Sequence, residues 1–217
     1  MNGSAPHVGV ILAGGLGRRM GGGDKPLMTI GGRPMLDRVV ERLTPQVDKV
    51  VLNANGDPAR FAGYGLPVVP DSIQGFAGPL AGLHAGMRWA EKNMPQARFI
   101  VSAAADTPFF PENLVPRLTA CGADAEDTIA LAASPAGTHP VFGRWPVAVA
   151  DDLEAFLKTG ESGKILVFAD RYIRLNVPFE EIALPNGGTV DPFFNVNTPE
   201  EAARAEEIAA ALEERAA

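Results

Sequence analysis

The run from Val8 to Leu27 carries a short apolar segment into a glycine-rich loop that delivers Arg18, Arg19 and Lys25. Glycines let backbone N–H groups approach phosphate oxygens closely, and clustered cations supply the charge that a polyphosphate needs. The loop matches neither familiar phosphate motif. Asp24 and Pro26 flank Lys25 where a Walker A loop needs glycine and Ser or Thr, and Met20 stands where a dinucleotide fingerprint needs its third glycine. Pro26 disfavours the α conformation at Lys25, so the chain is expected to stay extended there, with Lys25 reaching back over a bound nucleotide.

Other candidates follow apolar runs. Asp106, in Ala-Asp-Thr-Pro-Phe-Phe, suits Mg²⁺ held by few protein ligands, because phosphate oxygens fill the rest of a magnesium shell. The same Asp-x-Pro can instead make an Asx turn. Asp71 either contacts the nucleotide or a second substrate, or only starts the following turn. Asn195 and Asn197 alternate in a short extended segment and so point the same way. They serve a ligand or metal, or Asn197 helps to cap the last helix. His139 either recognises an anionic substrate or is a turn histidine without a role. Cys121 reads as a small helix-end residue, since no histidine pairs with it in the pattern.

The elements that must hold these residues follow from periodicity. Val8–Ala13, Lys49–Asn53, Pro67–Asp71 and Phe99–Ala103 are short apolar runs bounded by Gly, Asn, Asp or Pro, hence buried strands. Gly31 and Gly32 make a turn, Pro34 opens a helix carrying Leu36, Val39, Val40 and Leu43, and Pro45 ends it. After the Asn55–Pro58 turn cluster and the third strand, a second helix carries Leu80, Leu83, Met87 and Ala90. The β–α–β order makes the strands parallel. Gly14, Gly15, Asn53, Asp71 and Asp106 then fall along one carboxyl edge, where open α/β sheets bind ligands.

The second half is less regular. Strands are expected at Ile129–Ala133, Val141–Gly143, Ile173–Val177 and Phe193–Val196, and helical periodicity at Pro146–Leu157. Thr198-Pro-Glu-Glu201 is a capping box that opens a last helix with Ala202, Ala205, Ile208 and Leu212 on its inner face.

The chain has 217 residues, 46% of them hydrophobic, and reads as a single domain over 1–217, with a nucleotide half over about 6–110 and an acceptor half over about 111–217. Its net charge of −7 argues against a nucleic-acid partner, which wants a basic face. One cysteine cannot form an internal disulfide or a thiolate metal site. The N-terminal residues lack a signal-peptide pattern and no apolar run is long enough to span a membrane, so a cytoplasmic protein is expected.

Taken together, Leu12-Ala-Gly-Gly15 with Arg19-Met-Gly and Lys25, Gly78-Pro-Leu-x-Gly82, Asp106-Thr-Pro-Phe, His139-Pro-Val-Phe and Phe194-Asn-Val-Asn-Thr-Pro-Glu200 resemble the molybdenum cofactor guanylyltransferase family over nearly the whole chain. The resemblance implies a three-layer α/β/α fold with a mostly parallel Rossmann-like sheet of the nucleotidyltransferase, or nucleotide-diphospho-sugar transferase, type. It implies that Leu12, Ala13, Gly14, Gly15, Lys25, Asn53 and Asp71 hold GTP, and that Asp106 binds Mg²⁺. One departure is Ala105, where family members often carry cysteine.

The implied reaction transfers GMP from GTP to the terminal phosphate of molybdopterin, giving the guanine dinucleotide cofactor and pyrophosphate. Arg19 and Lys25 would stabilise the departing phosphates, and with Asp106 they form the expected catalytic set. Implied partners are GTP, molybdopterin and, transiently, molybdenum-insertion proteins and acceptor molybdoenzymes or their chaperones. The competing readings are a nucleotidyltransferase of other specificity, such as a molybdopterin cytidylyltransferase or a sugar-phosphate enzyme, and a nucleotide-binding regulator without chemistry. The acceptor pocket is expected between Ser134 and Lys164, including His139.

Overall fold

A computed structural model describes residues 6–14, 24–73, 78–122, 125–160, 162–185 and 187–216. In chain order the first half comprises β1 (His7–Leu12), β2 (Thr29–Ile30), β3 (Arg33–Pro34), α1 (Met35–Leu43), β4 (Lys49–Asn53), β5 (Val68–Val69), α2 (Pro79–Asn93) and β6 (Phe99–Ala104). The second half adds α3 (Leu114–Ala120), β7 (Thr128–Ser134), β8 (Gly137–Pro146), α4 (Ala150–Thr159), α5 (Ile165–Ala169), β9 (Ile173–Pro178), β10 (Ile182–Ala183), β11 (Thr189–Val190) and α6 (Pro199–Ala216).

A seven-stranded sheet in the order β5-β4-β1-β6-β8-β7-β9 forms the middle layer. Strands β5, β4, β1 and β6 run parallel, β8 runs antiparallel to both β6 and β7, and β9 is parallel to β7. Successive strand residues face opposite layers, as the pleat requires. Ile11, Leu52, Val101 and Ala103 pack with α1 and α3, whereas Val8, Val10, Val51 and Ile100 pack with α2, α4 and α5. The expected three-layer α/β/α architecture is therefore present. A third apolar cluster joins Ala205, Ile208 and Ala209 of α6 to Ile30, Met35, Phe109 and Val190. No helix among the described residues is long and apolar enough to cross a membrane.

Three expectations are corrected. Lys25 does not stay extended: Lys25–Leu27 forms a single 3₁₀ turn, in which Leu27 N–H donates to Asp24 O at 2.8 Å. Proline at the start of such a turn lacks only an N–H that would be unpaired anyway. Pro34 is not the first helical residue; its ψ of 141° is extended and it pairs with Thr29 in the β2–β3 hairpin, leaving Met35 to open α1. The hairpin turn is Gly31-Gly32, with φ of +58° and +70°, the left-handed pair that a tight two-residue connection demands.

Phe193–Val196 is not a strand. The Asp191 carboxylate accepts the Phe193 N–H at 2.7 Å and Asp191 O accepts that of Phe194 at 3.0 Å, an Asx turn that takes the donors a ladder would use. Val196 N–H then donates to Asp106 O at 2.9 Å, docking this segment on the end of β6.

The β7–β8 hairpin is interrupted. Leu131 faces Gly143 while Ala132 faces His139, so Pro140, Val141 and Phe142 have no opposite residue in β7. Pro140 has no N–H to lose from the ladder, and Ser102 Oγ donates to Val141 O at 2.6 Å while accepting Trp145 Nε1–H at 2.9 Å. A long bulge is thus pinned against β6.

Candidate active site

At the carboxyl edge of the parallel strands lies a cavity of about 550 Å³. One wall is made by Leu12 at the end of β1 and Gly14 beyond it, Asn53 of β4, Asp71 beyond β5, the Gly78-Pro79 start of α2, and Asp106 beyond β6. The other is made by Thr138, His139, Pro140, Val141 and Phe142 of β8 with Phe193 and Asn195. The strand ends therefore bring Leu12, Gly14, Asn53, Asp71 and Asp106 together, as the edge argument expects. Ala13 is not on the cavity wall; its N–H donates to Asn53 O at 2.9 Å and ties β1 to β4. Gly15 and Arg19 lie outside the described residues.

On the first wall, Asn53 is buried and its Nδ2 donates to Val69 O at 3.1 Å and to Asp71 Oδ1 at 3.0 Å. Asn55 holds the other side of Asp71. Its Nδ2 donates to Asp71 Oδ2 at 2.7 Å and its Oδ1 accepts the Asp71 N–H at 2.9 Å. The carboxylate is thus oriented by two amides before any ligand arrives. Sequence reasoning treats Asn55 only as a turn residue, although its spacing from Asn53 is the same alternation that marks Asn195 and Asn197.

Helix α2 can approach this network only because of its glycines. A Cβ on Gly82 would lie 2.2 Å from Asn53 Oδ1 and 2.8 Å from Leu12 Cδ2, and one on Gly86 would lie 2.5 Å from Val10 Cγ2. Behind Asp71, Ser72 Oγ sits 2.6 Å from Nδ1 of buried His84, whose Nε2 accepts Arg88 Nε–H at 3.1 Å. Burial, together with the Arg88 charge, moves the His84 pKa below the usual histidine value, although Glu154, Glu91 and Asp151 act in the opposite direction.

Lys25 joins three distant parts of the chain. Its Nζ donates to Asp106 Oδ2 at 2.6 Å and to Asn197 Oδ1 at 2.5 Å, with little of either charged side chain exposed. Arg60 pairs with Asp24 and donates to Asn55 O at 2.7 Å, which fixes the residue before Lys25 to the Asn55 turn. Asn197 does not cap α6 with its side chain. Thr198 does so, Oγ1 accepting Glu201 N–H at 3.2 Å while Glu201 Oε2 accepts Thr198 N–H at 3.0 Å, the expected capping box.

Among the described residues no group of three or more His, Cys, Asp or Glu side chains converges on a metal position. Asp106 offers one carboxylate next to the amide oxygen of Asn197. That hard, oxygen-only and incomplete set fits a Mg²⁺ ion whose remaining ligands are phosphate oxygens and water.

The second wall is aromatic and polar by turns. Phe193 stacks on His139 at 4.5 Å between centroids and contacts Phe142 at 4.9 Å and Phe179 at 5.4 Å. Of these residues sequence reasoning singles out His139 and, within the same motif, Phe142; the aromatic cluster has no periodic signature, because its members come from β8, the residue after β9 and a turn. Cys121 ends α3, its Sγ 3.0 Å from Leu118 O, as expected of a helix-end residue.

Comparison with known proteins agrees with this geometry. Residues 9–172 match the model of the MobA-like NTP transferase domain. The chain is 52% identical over 208 residues to the molybdenum cofactor guanylyltransferase of Bradyrhizobium sp. (strain ORS 278), covering 95% of this chain and 94% of that one. It is 50% identical over 200 residues to the enzyme of the same name from Rhodopseudomonas palustris (strain BisB5), covering 92% of each. Among solved structures, molybdopterin-guanine dinucleotide biosynthesis protein A from Archaeoglobus fulgidus superposes with a TM-score of 0.72 at 25% identity, over 94% of this chain and 98% of that one.

Proposed function

Since the chain belongs to the molybdenum cofactor guanylyltransferases of the MobA-like NTP transferase family, we propose that it transfers GMP from GTP to the terminal phosphate of molybdopterin and releases pyrophosphate. The observation that carries this reading is a cavity in which Asp106, paired with Lys25, stands between the amide-held Asp71 wall and the aromatic wall. The chain would act as one nucleotidyltransferase domain, with residues before about 110 taking the nucleotide and the remainder taking the acceptor.

The attacking group is a phosphate monoester, already anionic near neutral pH because its second pKa is about 6. No strong protein base is needed, so the residues work by positioning and charge neutralisation. Leu12, Ala13, Gly14 and Gly15 would lie along the nucleotide, with Asn53 and Asp71 completing its recognition. Lys25 would exchange one of its present partners for a phosphate oxygen, and Arg19 would join it on the β and γ phosphates. Asp106 would hold Mg²⁺, which when bound would neutralise charge on the transferring phosphate. Product handover implies transient contact with molybdenum-insertion proteins and with acceptor molybdoenzymes or their chaperones.

The test is thermal stabilisation by GTP, CTP, ATP and UTP, each with Mg²⁺, followed by pyrophosphate release on adding molybdopterin. A ligand at 100 times its dissociation constant adds about 2.7 kcal/mol. Stabilisation by GTP alone and GTP-dependent release support guanylyl transfer. Stabilisation by CTP instead would replace the product, and no release with molybdopterin would remove the proposed reaction.

A further inference from the structure

We infer that His139 reads a hydrogen-bond donor on the acceptor substrate through Nδ1, which Ser134 and Asp191 hold as an unprotonated acceptor facing the cavity. The inference rests on the preceding reading that the aromatic wall takes molybdopterin, and it adds what that wall recognises: the N–H or O–H edge of a polar heterocycle, not a phosphate.

Asp191 Oδ1 accepts the Phe193 N–H at 2.7 Å, and Asp191 Oδ2 accepts from Ser134 Oγ. An ionised carboxylate has nothing to donate, so the Ser134 proton is committed to Asp191. Ser134 Oγ lies 2.7 Å from His139 Nε2 and, its own proton spent, accepts there. The ring proton is therefore on Nε2. Burial lowers the His139 pKa below the usual value, and the Asp191 charge only partly counteracts this, so near neutral pH the ring is neutral and Nδ1 carries a lone pair.

Position follows from packing. The ring is stacked on Phe193 at an interplanar angle of 29° and held at Nε2 by Ser134, and both contacts oppose its rotation. His139 lines the cavity, and with Nε2 engaged by Ser134 the ring nitrogen left for a ligand is Nδ1. A lone pair there would repel phosphate oxygens, so the inference assigns His139 a donor edge of the substrate and not its phosphate.

Asp191→Asn tests the relay almost without change of shape. The amide oxygen keeps the Phe193 N–H, so the amide nitrogen must donate to Ser134. The Ser134 proton then turns to His139 Nε2, and the ring proton moves to Nδ1. Nitrogen-15 NMR of the histidine-labelled protein reads this directly: we expect Nε2–H in the wild type and Nδ1–H in Asp191→Asn, with His139→Gln assigning the signal. In guanylyl transfer, both variants should raise the KM for molybdopterin about tenfold while leaving the KM for GTP unchanged. A wild-type ring protonated at Nδ1, or a reversed tautomer with no change in the molybdopterin KM, overturns the inference. Absence of transfer by the wild-type protein overturns the reaction itself, and the NMR result then still decides the proton assignment.

Discussion

The two walls of the cavity are built in different ways. On one wall, Asn53, Asp71 and Asp106 sit at or just beyond the ends of parallel strands, each positioned by a regular strand and held by short amide or ammonium contacts. On the other wall, Phe142 sits in a bulge that starts just after His139, and Phe193 in an Asx turn, where backbone ladders are broken and side chains bond to backbone instead. Regular elements fix the charged groups of one wall, and irregular ones shape the aromatic surface of the other.

That contrast is open to direct attack. Asp106→Ala should lower turnover by about a thousandfold or more while GTP with Mg²⁺ still stabilises the protein, because the carboxylate serves the developing charge more than the base. Equal losses of turnover and GTP stabilisation would mean that this carboxylate belongs to nucleotide binding as a whole. Gly82→Ala should raise the KM for GTP by roughly tenfold and leave that for molybdopterin unchanged, since the new methyl would displace Asn53 on one wall only. Steady-state kinetics with each substrate varied in turn separates the two.

Each wall also has one histidine whose pKa burial lowers: His84 behind Asp71 and His139 beside Phe193. Below about pH 6.5 the unfolded chain protonates these rings more readily than the folded one does, so the unfolded state holds more protons and stability rises with pH. The melting temperature should therefore fall as pH drops from 7 toward 5, and the slope should flatten in His84→Gln. A slope unaltered in that variant would assign the dependence to other groups. The smallest effect is expected at Thr198→Ala, which should cost about 1 kcal/mol in denaturant unfolding and leave both KM values alone.

Legibility in the sequence follows the same division. The strands ending at Asn53 and near Asp106, the helix carrying Leu80, Leu83 and Met87, and the Thr198 capping box are local signals, set by periodicity and by single residues at fixed offsets. Their ends converge because parallel βαβ units leave little choice of edge. The clamp of Asn55 on Asp71 spans sixteen positions and that of Ser134 on Asp191 fifty-seven, so neither leaves a local mark. Phe193–Val196 shows why composition misleads: its apolar residues suit a strand, but Asp191 captures the Phe193 and Phe194 N–H groups and Asp106 that of Val196.

The Lys25 ammonium touches Asn197, 172 positions later in the chain. During synthesis the parallel strands can pair long before that residue emerges, but the clasp that ties the first loop to β6 and the last turn cannot close until the ribosome has passed it. Contacts of such sequence separation form late, because much chain entropy must be lost before they are gained. An incomplete polypeptide thus carries the sheet without this clasp, which closes only with the final segment that also completes the α6 apolar cluster.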